Sequence, residues 1–256
     1  MAETEPIRRD IEYSFGETVM IGRLVMPTGR DARAGTMLPG VMLIHDAFGL
    51  SDAMLRTADE YAARGHAVFA ADVWGGRATP TDGPGIGAVI GAMASDRAEW
   101  AGRVAAAHDV MVAQPGIDAA RTAMVGWCFG GSSALEYVRA GGAVRGVVSV
   151  HGGLDLVGDD WSTPSDARVL LCSGADDPMA TPEMLRAVED GLTAAGADWE
   201  ADVYSGTRHA FTNPDAALAG PPDVVAYNAR SAQRAHESTE RFLADLLADR
   251  SRGTQP

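Results

Sequence analysis

The chain has 256 residues, 46% of them hydrophobic and 22% charged, a balance that fits a folded α/β protein with a substantial core rather than a disordered segment. Its 21 basic and 35 acidic residues leave a net charge of −14, which argues against nucleic acid or anionic membrane as partners because both are polyanionic. No secretory signal is visible in "MAETEPIRRDIEYSF", the apolar stretch "GPGIGAVIGAMAS" is too short to cross a bilayer, and two unpatterned cysteines imply neither a disulfide framework nor a zinc site, so a reducing cytoplasm is expected.

In chain order, "IEYSFGETVMIGRLVMP" reads as two extended runs split at Phe15-Gly16-Glu17, an N-terminal β-hairpin. "LPGVMLIHD" is a strand covered on both faces. Residues 52–64 have helical spacing, with Ser51 or Asp52 as cap and Gly65 as stop. "HAVFAAD" is the next strand, and residues 96–113 form a helix begun at Ser95 or Asp96 and ended by Pro115-Gly116. Strand and helix then alternate through "RTAMVG", "FGGSSALEYVRA", "VRGVVSVHG", "ARVLLCSG", "PEMLRAVEDGLTAAG" and "DWEADVYSG". A long helical pattern over residues 223–249 closes the chain, and residues 250–256 read as a frayed tail. Residues 75–91 and 205–222, rich in Gly, Pro, Thr and Asp, read as loops. The alternation predicts one domain: a doubly wound, mostly parallel sheet with helices on both faces.

The chemistry concentrates in Gly126-Trp127-Cys128-Phe129-Gly130. A strand, then Gly-x-Cys-x-Gly, then a helix is the form of the nucleophile elbow of α/β-hydrolases, with cysteine in place of serine. Glycines leave room for a strained turn, and the opening N–H groups of the helix point at the reacting atom, where they stabilise a thiolate or an oxyanion. The pentapeptide alone is equally compatible with Cys128 as a buried filler. Ser132 and Ser133 are rival nucleophiles, but each lies further into the helix.

A nucleophile of this kind needs a base and an orienting acid, in the order nucleophile, acid, histidine. After "RVLLC", the loop "SGADDP" offers Asp177, with Asp176 as its alternative; after "DVYSG", "TRHAFTNP" offers His209. All three fall just beyond strand ends, the edge where open α/β sheets place their sites. His66, His108 and His236 read as structural or solvated, while His151, after "VVSV", is a candidate pocket residue.

"LIHDAFGL", "AADVWGGR", "GWCFGG", "SGADDP" and "HAFTNP", in this order over residues 10–247, resemble the dienelactone hydrolase family, the cysteine-nucleophile branch of the α/β-hydrolases. The resemblance implies a Cys128–His209–Asp177 triad and cofactor-free hydrolysis of a lactone, ester or related small acyl compound through a thioester intermediate. It also implies a carboxylate near the thiol at Asp46, one methylene shorter than the family's usual Glu, where it accepts the thiol proton. The alternative for Asp46 is a turn residue bonding its own backbone, and the site role is preferred. The backbone N–H groups of Ala47 and Phe129 become the oxyanion donors, and His45 is read as structural.

Members acting on anionic dienelactone bind its carboxylate with arginines. Arg77 in "DVWGGR" fits one such place, but the other, four residues after His209, holds Asn213. Phe48, Trp74, Trp127 and Phe211 lie near the motifs and suggest a largely apolar pocket. Two rival readings are a non-catalytic binding or regulatory protein on a hydrolase scaffold and a thiol redox enzyme joining Cys128 to Cys172, which lacks CxxC spacing. No oligomeric state is legible.

Overall fold

In the computed structural model, residues 5–28, 37–218 and 220–248 are described. The expected hairpin forms from β1 (Ile7–Phe15) and β2 (Thr18–Met26), paired antiparallel around Gly16 and Glu17. β2 also pairs antiparallel with β4 (Ala67–Ala71). The other strands, β3 (Leu38–Ile44), β5 (Ile117–Trp127), β6 (Gly146–Val150), β7 (Arg168–Gly174) and β8 (Asp198–Tyr204), run parallel to one another and to β4. The spatial order is β1-β2-β4-β3-β5-β6-β7-β8. Every residue of β4 and β6 is buried, because helices cover both faces of the sheet, and this is why their sequences run apolar without alternation.

Each face has its own apolar layer. On one side α1 (Asp52–Ala63) and α6 (Ala229–Leu246) set Met54, Ala58, Tyr61, Phe242 and Leu243 against Val41, Leu43, Val125, Val148 and Leu170. On the other, α3 (Arg97–Val112), α4 (Phe129–Arg139) and α5 (Pro182–Ala195) set Trp100, Val104, Leu135, Leu185 and Leu192 against Met42, Phe69, Met124, Val147 and Val169. Ser51 caps α1 by accepting from the Met54 N–H, and Thr181 caps α5 in the same way on Met184.

The expected loop over residues 75–91 is corrected in its second half: Gly83–Ser95 forms a helix, α2. Asp82 caps it by accepting from Gly85 N–H at 2.7 Å, and proline occupies its first turn. Val89 and Ile90 pack against the core and Met93 is buried in it, so apolar contact on one face outweighs the low propensity of the glycines. The final helix starts at Ala229, capped by Asn228, rather than at 223. The segment before it is held instead along the 209–211 loop: Ala226 N–H donates to His209 O at 3.1 Å and Asn228 N–H to Phe211 O at 3.0 Å. The tail expected over residues 250–256 lies outside the described residues. Among those described, no helix is long and apolar enough to cross a membrane.

The order of strands decides where a site forms. From β3 the chain returns on one side to β4, whereas from β5 it proceeds on the other to β6. The carboxyl ends of β3 and β5 therefore flank a topological switch point, the crevice in which open α/β sheets hold ligands. Asp46 follows β3 and Cys128 follows β5.

Candidate active site

Cys128 is a single residue between β5 and α4, with φ 53° and ψ −116°. A side chain in that left-handed region is strained and persists only where its surroundings impose the turn. Two glycines show how tight it is. A Cβ on Gly126 would lie 2.0 Å from Gly130 O, and one on Gly130 would lie 2.1 Å from Ile44 O. The turn is tied down by the Cys128 N–H, which donates to Val150 O at 3.0 Å and to His151 Nδ1 at 3.2 Å. Beneath it Phe129 stacks on Trp100 at 5.0 Å and packs against Trp74 at 4.2 Å. The rival serines are already engaged: Ser132 Oγ donates to Gly153 O at 2.8 Å, and Ser133 Oγ donates to Phe129 O at 2.8 Å while accepting from Trp100 Nε1 at 2.9 Å.

His209 reaches the thiol from the loop after β8. Its Nε2 lies 3.1 Å from Cys128 Sγ, and its Nδ1 lies 2.8 Å from Asp177 Oδ2. Asp177 is 3% exposed and its Oδ1 accepts from Met179 N–H at 2.8 Å, whereas Asp176 faces solvent. The geometry thus favours Asp177 over its neighbour as the partner of His209. Burial pulls the His209 imidazole toward neutrality, but Cys128 at one nitrogen and Asp177 at the other outweigh it and raise its pKa to about 10. Such a ring is suited to accept a proton.

The loop after β3 brings Asp46 to the cleft. Its Oδ1 accepts from Phe48 N–H at 2.9 Å, the turn contact anticipated for an aspartate here, and burial raises its carboxyl above the ordinary range. Its side chain also lines the cleft, so turn-forming and site roles coexist. His45 is fully buried: Nδ1–H donates to Asp46 O at 2.7 Å and Nε2 accepts from Val73 N–H at 3.1 Å, which fixes the loop that carries Ala47. Phe129 opens α4, so its N–H has no intrahelical acceptor.

His151, after β6, also has positive φ, 40°, and is buried. Since its Nδ1 accepts from Cys128 N–H, Nε2 carries the proton and donates to Thr212 Oγ1 at 2.7 Å. Burial and then His209, whose ring lies 5.4 Å away, hold its pKa well below the ordinary value, so the ring is neutral.

A cleft of about 560 Å³ adjoins this group, with Asp46, Phe48, Trp127, His151 and Asn213 in its walls. Three expected pocket residues lie elsewhere. Arg77 turns its guanidinium to Asp10, at 2.7 and 3.0 Å, and to Ile21 O, while its backbone N–H donates to Asp72, so it is consumed in bracing the 72–77 loop against the hairpin. Trp74 supports Phe129 from below, and Phe211 is fully buried against His151 and Tyr204. Sequence reading missed Thr212 and the helical walls from α1 and α6, His236 among them. The legible trace was Ala232, Ala235 and Thr239, small residues at helical spacing that leave room beside α6. Cys172 is a free, buried thiol whose pKa burial pushes up to about 12, unsuited to exchange with Cys128. Among the described residues, no cluster of three or more His, Cys, Asp or Glu is placed to hold a metal.

The eight-stranded sheet and the turn at its switch point define an α/β-hydrolase fold. A sequence profile of the dienelactone hydrolase family matches residues 24–247, and the chain belongs to that family. Among solved structures, it is similar to the dienelactone hydrolase-like promiscuous phosphotriesterase P91 from metagenomic libraries, at 32% identity and TM-score 0.87 over 96% of this chain and 100% of that one. A second structure, called m3DLH, is 30% identical with TM-score 0.84 over 96% of this chain and 100% of that chain. An uncharacterized Caenorhabditis elegans protein, K02A2.1, is 26% identical over 159 residues, 61% of this chain and 100% of the relative.

Proposed function

We propose that this member of the family hydrolyses a lactone, activated ester or thioester through an acyl-thioester on Cys128. The observation that carries this reading is the unbroken line Cys128 Sγ–His209–Asp177, at 3.1 and 2.8 Å. His209 Nε2 takes the thiol proton, and the thiolate attacks the carbonyl carbon. The displaced π electrons collect on the carbonyl oxygen, to which the Ala47 and Phe129 N–H groups donate. Collapse expels the alcohol, enol or thiol portion, protonated by His209 where the leaving group needs it. Because a thiolate is itself a good leaving group, acylation favours substrates whose departing group leaves about as readily, such as aryl esters, enol lactones and thioesters, over alkyl esters and amides.

Deacylation follows from the same charges. Once Cys128 is acylated its negative charge is gone, and with it a main contribution raising His209. Burial then pulls the imidazole toward neutrality, the form that removes a proton from the hydrolytic water. Asp46 supplies a second proton position: burial makes its carboxyl a better acceptor for the thiol proton than a solvated aspartate. These steps use no cofactor, and a reactive thiol suits the reducing cytoplasm. The 32% identical relative is a promiscuous phosphotriesterase, which supports a second reading, in which the thiolate meets an uncharged phosphorus centre.

Rapid mixing with p-nitrophenyl acetate tests the primary reading. The expected trace is a burst of p-nitrophenolate equal to the enzyme concentration, then slower steady release. Neither burst nor turnover with this ester, with phenyl thioacetate or with an aryl lactone would overturn it.

A further inference from the structure

The cleft beside Cys128 is a slot between two helices. α1 leaves the crevice at its Ser51 cap and runs back along the sheet, and α6 starts from Asn228, pinned to the 206–211 loop. Their facing sides supply Met54, Glu60 and Tyr61 from one helix and Ala232, Ala235 and Thr239 from the other. Ala53 and Glu60 both line the cleft and are seven residues apart, about 10 Å along a helix axis, so the walls extend well beyond the reach of an acetyl group. The helices are tied together by Arg64: its Nε pairs with Glu240 at 3.2 Å and its Nη2 donates to His236 Nε2 at 3.2 Å.

The lining is one-sided in charge. Trp127, Val150, Met54 and Tyr61 make an apolar wall, and Asp46, Glu60 and Asp215 contribute carboxylates. Among the described residues no arginine or lysine lines the cleft. Arg64 is held by Glu240, and Arg77 by Asp10. His236 Nε2 is engaged by Arg64. An anionic substrate entering this slot loses hydration, finds no cation, and meets carboxylates at its rim.

We infer that the substrate's non-reacting part is an extended, uncharged apolar group, an alkyl chain or aromatic ring lodged between α1 and α6, and that carboxylate-bearing esters are rejected. This rests on the hydrolase reading above and adds a substrate class to it. The small residues on α6 create the space, and the absence of a free cation sets the charge preference.

The test compares kcat/KM for p-nitrophenyl acetate, p-nitrophenyl octanoate and mono-p-nitrophenyl octanedioate, the last two matched in length and differing by one terminal carboxylate. Octanoate is expected to exceed acetate, and to exceed the octanedioate, each by about tenfold or more. Ala232→Phe narrows the slot and lowers the octanoate-to-acetate ratio. Glu60→Arg supplies the missing cation and raises the octanedioate-to-octanoate ratio at least about threefold, an effect that shrinks at high salt. Equal rates for acetate and octanoate, or an octanedioate hydrolysed as fast as octanoate, overturn the inference. So do ratios that neither variant moves. These failures are distinct from failure of the hydrolase reading, in which no ester gives Cys128-dependent turnover.

Discussion

Replacing Cys128 with alanine is expected to lower kcat/KM for p-nitrophenyl acetate by at least about a thousandfold, measured beside the wild-type protein at equal concentration. The substitution removes the thiol proposed to form the acyl-enzyme, and on that reading the backbone N–H donors supply the residual rate. It leaves the fold intact for a specific reason. Alanine at this position meets the same left-handed backbone that cysteine already tolerates at φ 53°, and the Gly126–Gly130 contact that shapes the turn is untouched. The thermal midpoint of Cys128→Ala therefore stays close to that of the wild type. Rates unchanged by Cys128→Ala would transfer the chemistry to another residue. Neither Ser132 nor Ser133 is suited to receive it, since both hydroxyls are buried in hydrogen bonds to backbone or indole.

The second large effect concerns the acid. Asp177→Asn is expected to lower kcat by about a hundred- to ten-thousandfold, while Asp176→Asn changes it by less than about threefold. Asp177 holds Nδ1 of His209 at 2.8 Å and fixes which nitrogen faces the thiol; an amide there donates to Nδ1 and reverses the tautomer. The pH dependence has a definite sign. Asp177 is one of the groups that raise His209 to about 10. Without it the imidazole holds the thiol's proton less well, so iodoacetamide labelling of Cys128 near neutrality slows and its pH profile moves to higher pH. In the wild type, kcat/KM, which starts from the free enzyme with Cys128 still beside the imidazole, declines as pH rises through about 10. Identical labelling profiles for wild type and Asp177→Asn would remove the carboxylate from this role.

The fold was legible because its signals were redundant. Apolar runs such as "AVFAA" and "GVVSV" specify strands buried on both sides, and Ser51 and Gly65 mark helix ends that the structure reproduces. Cys128, Asp177 and His209 were legible for a different reason: each is the feature of a short loop directly after a strand, and parallel strands deliver such loops to one edge. Helix α2 was hidden by its glycines, because the apolar contact of Val89, Ile90 and Met93 that holds it is tertiary. Arg77 was misplaced for a related reason. Its motif lies near the site in sequence, but positive φ at Arg77 and the buried Asp72 carboxylate turn its side chain toward Asp10 on the hairpin. The slot between α1 and α6 is a property of two helices more than 160 residues apart in the chain and left only a stripe of small residues on α6 as its trace.

Whether Cys128 carries the acyl group is read from the mass of the protein quenched in acid during turnover of p-nitrophenyl acetate. The expected result is a population heavier by one acetyl group, with the label on the peptide containing Cys128, removable by hydroxylamine and lost in Cys128→Ala. A label on Ser132 or Ser133, or turnover that continues in Cys128→Ala without any acyl-cysteine, would contradict it.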